Sequence, residues 1–225
     1  MSSDNKLNDI GEFIEDKNVI AKKLKNIKSL IFDWDGVFHS GYKKSNKESS
    51  FSEADSMGIN MLRFSYYLKD NSIPYTAIVT GENNETAGYF AEREHFDQIF
   101  LKVKNKVEIL DWLTQNKGFS NDEVLFVFDD ILDLSIAKVC GLRFMVNRSA
   151  SFMLTSYCKS HKLCDYITKN TADKHAIREI SELAISLIGD YDQVIEKRIE
   201  YNGDYLKYIG IRNSIKTNSS FKIEI

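Results

Sequence analysis

Short apolar runs alternate along this chain with amphipathic stretches, and several of the apolar runs end at acidic or hydroxyl side chains. Ser29 to Phe32, Tyr75 to Val79 and Val124 to Phe128 have the length and continuous apolarity of strands covered on both faces. Segments with helical periodicity separate them. The alternation predicts an α/β fold, a doubly wound parallel sheet flanked by helices.

The predicted sheet occupies the middle of the chain. We expect a central α/β domain at 28–189, an N-terminal helical extension at 1–27, and a C-terminal helical extension and tail at 190–225. A polar segment at about 38–53 carries alternating aromatic residues, which predicts a short β-hairpin flap.

Composition excludes several classes of protein. Among 225 residues, 30 Lys and Arg stand against 33 Asp and Glu, so no basic excess favours nucleic-acid binding. No apolar run is long enough for a membrane helix, and residues 1–28 lack a signal peptide's apolar core. The three cysteines are too scattered for a disulfide framework or a zinc site. These features predict a cytoplasmic protein without membrane or nucleic-acid partners.

Chemically reactive side chains fall where the predicted strands end. Asp33 and Asp35 follow one strand, Thr80 follows the next, and Asp129 follows the strand at 124–128. Lys106 comes shortly after another short strand. Because the carboxyl ends of parallel strands meet at one edge of a sheet, we expect these residues in one crevice.

Such a site has a defined chemistry. Clustered carboxylates raise one another's pKa unless a cation lies among them, and oxygen ligands without His or Cys suit Mg²⁺. One Asp could attack a phosphorus atom and form an aspartyl-phosphate, while a second moves the proton. Thr80 and Lys106 would position and neutralise the phosphoryl group, and Gly36 lets the backbone turn after the acidic pair.

Four motifs in this order resemble those of the haloacid dehalogenase superfamily. They are Phe32 to Val37, Val79 to Gly81, Lys106, and Phe128 to Asp130 with Asp133. The order is more specific than any single motif. A short flap in place of a large cap is similar to the 3-deoxy-D-manno-octulosonate 8-phosphate phosphatase branch.

Two further segments extend that resemblance, which covers roughly residues 27–187. Ser52 to Ile59 resembles the branch's substrate loop, and Ala176 to Glu179 resembles its C-terminal helix. The resemblance implies a homotetramer in which neighbouring subunits close the site, and a small phosphorylated sugar or sugar acid as substrate. The substrate-binding residues it implies are Thr80, Gly81, Asp55, Ser56 and Gly58.

The resemblance also implies catalytic roles. Asp33 is the nucleophile and a Mg²⁺ ligand, and Asp35 is the general acid and base, with its backbone carbonyl on Mg²⁺. Asp129 is the third protein ligand to the metal. Thr80 holds the phosphoryl oxygens, and Lys106 neutralises the charge on nucleophile and phosphoryl group. Two acids are implied to support the site from behind, namely Asp130 and Asp133.

Departures from the branch's pattern concern the substrate more than the phosphatase core. Glu82 and Ala54 stand where the branch usually carries Arg, and Phe128 stands in place of Gly. Arg binds carboxylates with a two-pronged fork, whereas Glu82 repels a carboxylate or favours a hydroxyl or amine.

Alternatives remain open at this point. Either Asp129 or Asp130 could cap the helix predicted to follow from Leu132, a role that suits Asp130 at least as well as a role in the site, and Lys102 and Lys104 compete with Lys106 for the lysine position. A non-catalytic binding or assembly protein with the same fold is the second function. A receiver domain uses similar residues but in a different order.

Overall fold

An eight-stranded sheet organises the part of the chain that the computed structural model describes, residues 10–43, 49–189 and 191–221. The strands run along it in the order β1-β7-β6-β5-β2-β3-β4-β8, and every neighbouring pair is parallel except β1 with β7. The predicted α/β fold is confirmed. In chain order the strands are β1 (Glu12–Phe13), β2 (Ser29–Asp33), β3 (Tyr75–Val79), β4 (Gln98–Leu101), β5 (Val124–Phe128), β6 (Leu142–Met145), β7 (Tyr166–Ile167) and β8 (Asn218–Phe221).

Helices cover both faces of this sheet. None of the helices in the described ranges combines the length and apolarity that a membrane span requires. The helices are α1 (Lys17–Leu24), α2 (Glu53–Asp70), α3 (Glu85–Arg93), α4 (Glu108–Lys117), α5 (Leu134–Ala137), α6 (Phe152–Ser160), α7 (Ala176–Ile188), α8 (Tyr191–Glu200) and α9 (Gly203–Ser214).

Burial on both faces explains the unbroken apolar runs of the central strands. All residues of β2, β3 and β5 are buried. Along β2, Leu30 and Phe32 pack into the core shared with α1, α2, α3 and α7, while Ile31 packs into the core shared with α4, α5 and α6. Alternate side chains thus enter opposite cores, so apolar residues dominate both faces of these strands, with Ser29, Thr76 and the terminal Asp33 as the polar exceptions.

The order of the strands creates the crevice. From β2 the chain adds β3 and β4 on one side, and then returns to place β5 and β6 on the other. The strand order therefore reverses beside β2, which is where open α/β sheets bind ligands.

Both terminal extensions contribute strands to the sheet. Within 1–27, the short β1 pairs antiparallel with β7, and the expected helix is limited to α1. Within 190–225, β8 pairs in parallel with β4 after two helices. Residues 1–9 and 222–225 lie outside the described part. A two-residue strand and a polar strand lack the apolar alternation by which a sequence reveals a strand, so neither was predicted.

The predicted flap is described only at its two ends. Residues 44–48 lie outside the described ranges, and neither 38–43 nor 49–53 contains a strand, so these parts do not show the expected β-hairpin. Trp34 anchors the returning end, because its Nε1 donates to Ser49 Oγ at 3.0 Å. The same indole stacks on Phe38 with ring centroids 4.8 Å apart.

Candidate active site

A cavity of about 420 Å³ lies where β2, β3 and β5 end. Its walls include the five predicted catalytic and metal-binding side chains, together with Asp133 and Arg148. The residues that follow these strands therefore lie together at one cavity, as the sequence predicts. The five predicted residues in its walls are Asp33, Asp35, Thr80, Lys106 and Asp129.

Lys106 lies between two carboxylates at the base of the cavity. Its Nζ is 2.5 Å from Asp33 Oδ1 and 2.5 Å from Asp133 Oδ1. Burial alone would lower the pKa of this ammonium group, but the two carboxylates outweigh burial and raise it. Lys104 and Lys102 are exposed, so Lys106 is the buried lysine of the three.

The acids of the site are poorly solvated and repel one another. Burial raises the pKa of Asp33 well above its usual range, and the charge of Asp133 adds to this effect while Lys106 opposes it. Burial raises the pKa of Asp129 to about 7, although Arg148 opposes the rise. Such carboxylates lower their free energy by sharing a cation.

The donor set fits a divalent ion. One carboxylate oxygen each from Asp33, Asp129 and Asp133 lies within 4.8 Å of the others. Asp129 Oδ1 is buried and has no hydrogen-bond partner among the described residues. Carboxylate oxygens without His or Cys suit Mg²⁺. Asp133 is engaged on both oxygens, by Lys106 and by the backbone N–H of Asp130, so Asp33 and Asp129 are the more available ligands.

Asp35 faces a different set of groups. Its Oδ1 lies 3.2 Å from His39 Nε2 and its Oδ2 lies 3.0 Å from Lys43 Nζ. Burial would raise the pKa of this carboxyl, but His39 and Lys43 outweigh burial and lower it. The Asp35 carboxylate is therefore outside the three-acid cluster, and a contribution to metal binding through its backbone carbonyl stays a prediction.

Gly36 allows the acidic motif to approach Asp129. Its φ of +90° is a conformation that side chains disfavour, and a Cβ at this position would lie 2.1 Å from Asp129 Oδ2. The guanidinium of Arg148, which contacts the same oxygen, would also collide with that Cβ. The glycine is needed here both for the turn and for space beside the Asp129 carboxylate.

Thr80 and Gly81 form the wall on the β3 side. Thr80 is buried, and its Oγ1 accepts weakly from the Glu82 N–H at 3.4 Å. A Cβ on Gly81 would meet only Val103 O, at 3.7 Å, so the backbone here is open to a ligand. Glu82 lines the cavity with an exposed side chain.

The segment expected to form a substrate loop is the first part of α2, and this is a correction. Ser52 caps the helix by accepting from the Ala54 N–H, so residues 53–59 are helical. Asp55 is fully buried and accepts from the Arg178 N–H at 2.8 Å. A Cβ on Gly58 would lie 3.1 Å from Arg178 Cδ, so this glycine permits close packing of α2 on α7.

Ser56 is buried in the same first turns of α2. None of the three residues expected to bind substrate in this segment is among the described residues that line the cavity. Asp55 and Gly58 lie at the contact between α2 and α7, and a role of these three residues in substrate binding stays a prediction.

Sequence reasoning missed Arg148 and Lys43, which both line the cavity. Arg148 follows β6 and its Nη2 contacts Asp129 Oδ2. The rule that identified the other site residues, a polar side chain just past a strand, applies to Arg148 as well. Lys43 comes ten positions after Asp33 in an irregular segment, and no such signal marks it.

Curated relatives cover most of the chain. The 3-deoxy-D-manno-octulosonate 8-phosphate phosphatase KdsC of Escherichia coli strain K12 is 26% identical over 180 residues, 78% of this chain and 88% of the relative. The protein of the same name from Haemophilus influenzae is 26% identical over 175 residues, 76% of this chain and 89% of the relative. No protein-family model matches the chain.

Solved structures show the same fold. A 3-deoxy-D-manno-octulosonate 8-phosphate phosphatase from Moraxella catarrhalis, in complex with magnesium ion, phosphate ion and KDO, has a TM-score of 0.67 at 24% identity and covers 80% of this chain and 98% of its own. A probable YrbI family phosphatase from Pseudomonas syringae has a TM-score of 0.66 at 25% identity, with coverage of 84% and 99%. The predicted resemblance to this branch of the haloacid dehalogenase superfamily is confirmed.

Proposed function

We propose that this chain, a phosphomonoester hydrolase of the haloacid dehalogenase superfamily with Mg²⁺ as its cofactor, releases phosphate from a small phosphorylated sugar or sugar acid. The observation that carries this is the buried set of Asp33, Asp129 and Lys106 at one cavity. A scaffold has no need to bury acids that repel one another. The activity named for the curated relatives supports the same assignment.

Two displacements at phosphorus account for the reaction. In the first, a carboxylate oxygen of Asp33 bonds to phosphorus and the bond to the leaving oxygen breaks, while Asp35 gives that oxygen the proton that it took from water in the preceding cycle. In the second, a water oxygen bonds to phosphorus, the bond to Asp33 breaks, and Asp35 takes the water's proton. The products are the free hydroxyl compound and inorganic phosphate.

The other residues position the phosphoryl group. Thr80 Oγ1 and the open backbone at Gly81 would hold its oxygens, and Lys106 keeps positive charge beside Asp33 throughout. Asp33 and Asp129 would hold Mg²⁺, with the Asp35 carbonyl as a further ligand. The ion supplies positive charge that makes the phosphorus easier to attack.

The charges around the cavity bear on the substrate. Glu82 stands where the resemblance leads one to expect an arginine, but Lys43 and Arg148 are cations that line the same cavity. They would face the carboxylate of a sugar acid. A panel of phosphorylated sugars, sugar acids and nucleotides, assayed by phosphate release, ranks these classes.

We also propose that a second subunit closes the cavity, in a homotetramer. Apolar side chains beside the cavity are exposed to an extent that suits an interface, with Leu132 at 72% and Ile131 at 65%. Sedimentation velocity together with activity at increasing dilution tests this. A fully active monomer contradicts it.

The direct test of the function is hydrolysis of p-nitrophenyl phosphate with and without Mg²⁺. Wild-type protein and D111N, which changes an exposed acid of α4 that does not line the cavity, should turn over substrate with Mg²⁺ and not without it. D33N should turn over no substrate under either condition. Mass spectrometry of D35N quenched during turnover should show one phosphoryl group on Asp33. A wild-type protein that binds vanadate with Mg²⁺ but hydrolyses nothing would favour the non-catalytic alternative.

A further inference from the structure

His39 is buried beside the acidic motif and has no part in the mechanism described so far. Only 5% of the residue is exposed, and its ring packs 5.8 Å from the indole of Trp34. Packing alone would suit an apolar side chain at this position. The polar contacts of the imidazole are therefore what needs an explanation.

The backbone determines which ring nitrogen of His39 carries the proton. The Gly41 N–H donates to His39 Nδ1 at 3.1 Å, so Nδ1 must be the acceptor. In a neutral imidazole the other nitrogen then carries the hydrogen. Nε2–H is thus the donor side of the ring.

That donor side faces a single carboxylate oxygen. His39 Nε2 lies 3.2 Å from Asp35 Oδ1. Both atoms are buried, and neither has a hydrogen-bond partner of good geometry among the described residues, so each is the nearest available partner of the other. The second oxygen of the carboxylate, Oδ2, lies 3.0 Å from Nζ of Lys43, a half-exposed side chain that lines the cavity. The two oxygens of Asp35 are therefore in different surroundings.

We propose that His39 is the positioning residue for Asp35. Its Nε2–H holds Oδ1, so Oδ2, on the cavity side, is the oxygen that gives a proton to the leaving group and later takes one from water, once the Lys43 ammonium has moved off it. This inference rests on the proposed function, because it requires Asp35 to exchange protons with the reacting atoms. Because the contact with His39 fixes the plane of the Asp35 carboxylate, Oδ2 is already oriented toward those atoms before the reaction.

The leaving group separates this role from a structural one. A p-nitrophenolate ion departs without a proton, whereas a benzyl alkoxide needs one. Incorrect orientation of Asp35 therefore slows the hydrolysis of benzyl phosphate more than that of p-nitrophenyl phosphate. The ratio of kcat/KM for benzyl phosphate to that for p-nitrophenyl phosphate, measured with Mg²⁺, therefore measures how well Asp35 is oriented. General loss of folded protein leaves the ratio unchanged.

Two amide variants form a matched pair. Gln can place its side-chain nitrogen where Nε2 lies but cannot accept from Gly41, whereas Asn can accept from Gly41 but cannot reach Asp35. We expect the ratio to fall at least about tenfold in H39N and in H39L, and to stay within about threefold of wild type in H39Q. In a D35N background, H39N should change the ratio no further.

The outcomes are distinct. An equal ratio in wild type, H39N and H39L, or an equal fall in H39N and H39Q, would overturn the role of His39 while the proposed function stands. A wild-type protein that hydrolyses neither substrate with Mg²⁺ would overturn the proposed function, and the inference with it. Thermal unfolding of each variant shows which of them are folded, and the H39Q and H39N pair decides if H39L does not fold.

Discussion

Replacing Lys106 with Met removes the charge that lies between Asp33 and Asp133 while keeping most of the side-chain volume. The ammonium is 2.5 Å from an oxygen of each carboxylate, and all three side chains are less than 10% exposed, at 5%, 8% and 1%. Removing one partner of a buried ion pair costs about 3–5 kcal/mol, because the remaining charge stays desolvated. We expect a loss of about 3 kcal/mol in the free energy of unfolding, since protonation of one acid limits the cost.

Thermal unfolding followed by circular dichroism measures this loss. In a chain of this size each kcal/mol corresponds to about 2–4 °C, so the midpoint for K106M should fall by roughly 10 °C. K104M, which changes an exposed lysine at the same cavity, should unfold like wild type. Millimolar Mg²⁺ should stabilise K106M more than wild type, because the ion and the ammonium neutralise the same carboxylates. If K106M unfolds at the wild-type temperature without Mg²⁺, the reasoning about buried charge is wrong.

Two further substitutions test other parts of the structure. G36A should lower Mg²⁺ affinity at least tenfold in calorimetry, because its Cβ would collide with Asp129. G118A is the control: Gly118 also has a positive φ, but a Cβ there would have nothing within 4 Å. G118A should therefore keep its Mg²⁺ affinity and lose only about 1 kcal/mol of unfolding free energy through backbone strain. Equal Mg²⁺ affinity in both variants would argue against the collision. Burial raises the pKa of Asp55 to about 6 in the folded chain, so its stabilising effect is present below about pH 4 and is lost as the pH rises through about 6. The side chain of D55N can still accept from the Arg178 N–H but does not ionise. The unfolding free energy of D55N should therefore fall about 2–3 kcal/mol less between pH 4 and 6 than that of wild type. Urea denaturation at several pH values measures this, and the same pH dependence in both proteins would contradict it.

The convergence of these side chains at one cavity was predictable because a local pattern and a general rule combine. An apolar run followed by a polar residue marks the end of a buried strand, and parallel strands bring their ends together. Asp33, Thr80 and Asp129 could therefore be placed in one cavity without any knowledge of distances. Lys106 follows a weaker strand, and its burial between Asp33 and Asp133 distinguishes it from Lys104.

Other features depend on contacts between distant parts of the chain. Asp55 and Gly58 lie in a segment that resembles a substrate loop, but Ser52 begins a helix there and α7 packs on it. The strands β1 and β8 exist because β7 and β4 offer unpaired edges. One has only two residues and the other begins with three polar residues, so neither shows the periodicity by which a strand is predicted.

Mg²⁺ binding to the isolated chain tests the central claim most directly. Isothermal titration calorimetry of wild-type protein should show one ion per chain, and D111N should bind it as well, because the Asp111 side chain is exposed on α4 and does not line the cavity. D129N should lose at least about two orders of magnitude in affinity, since it removes the buried oxygen that has no other partner. Wild-type protein that binds no Mg²⁺, or D129N that binds it as tightly as wild type, would contradict the account.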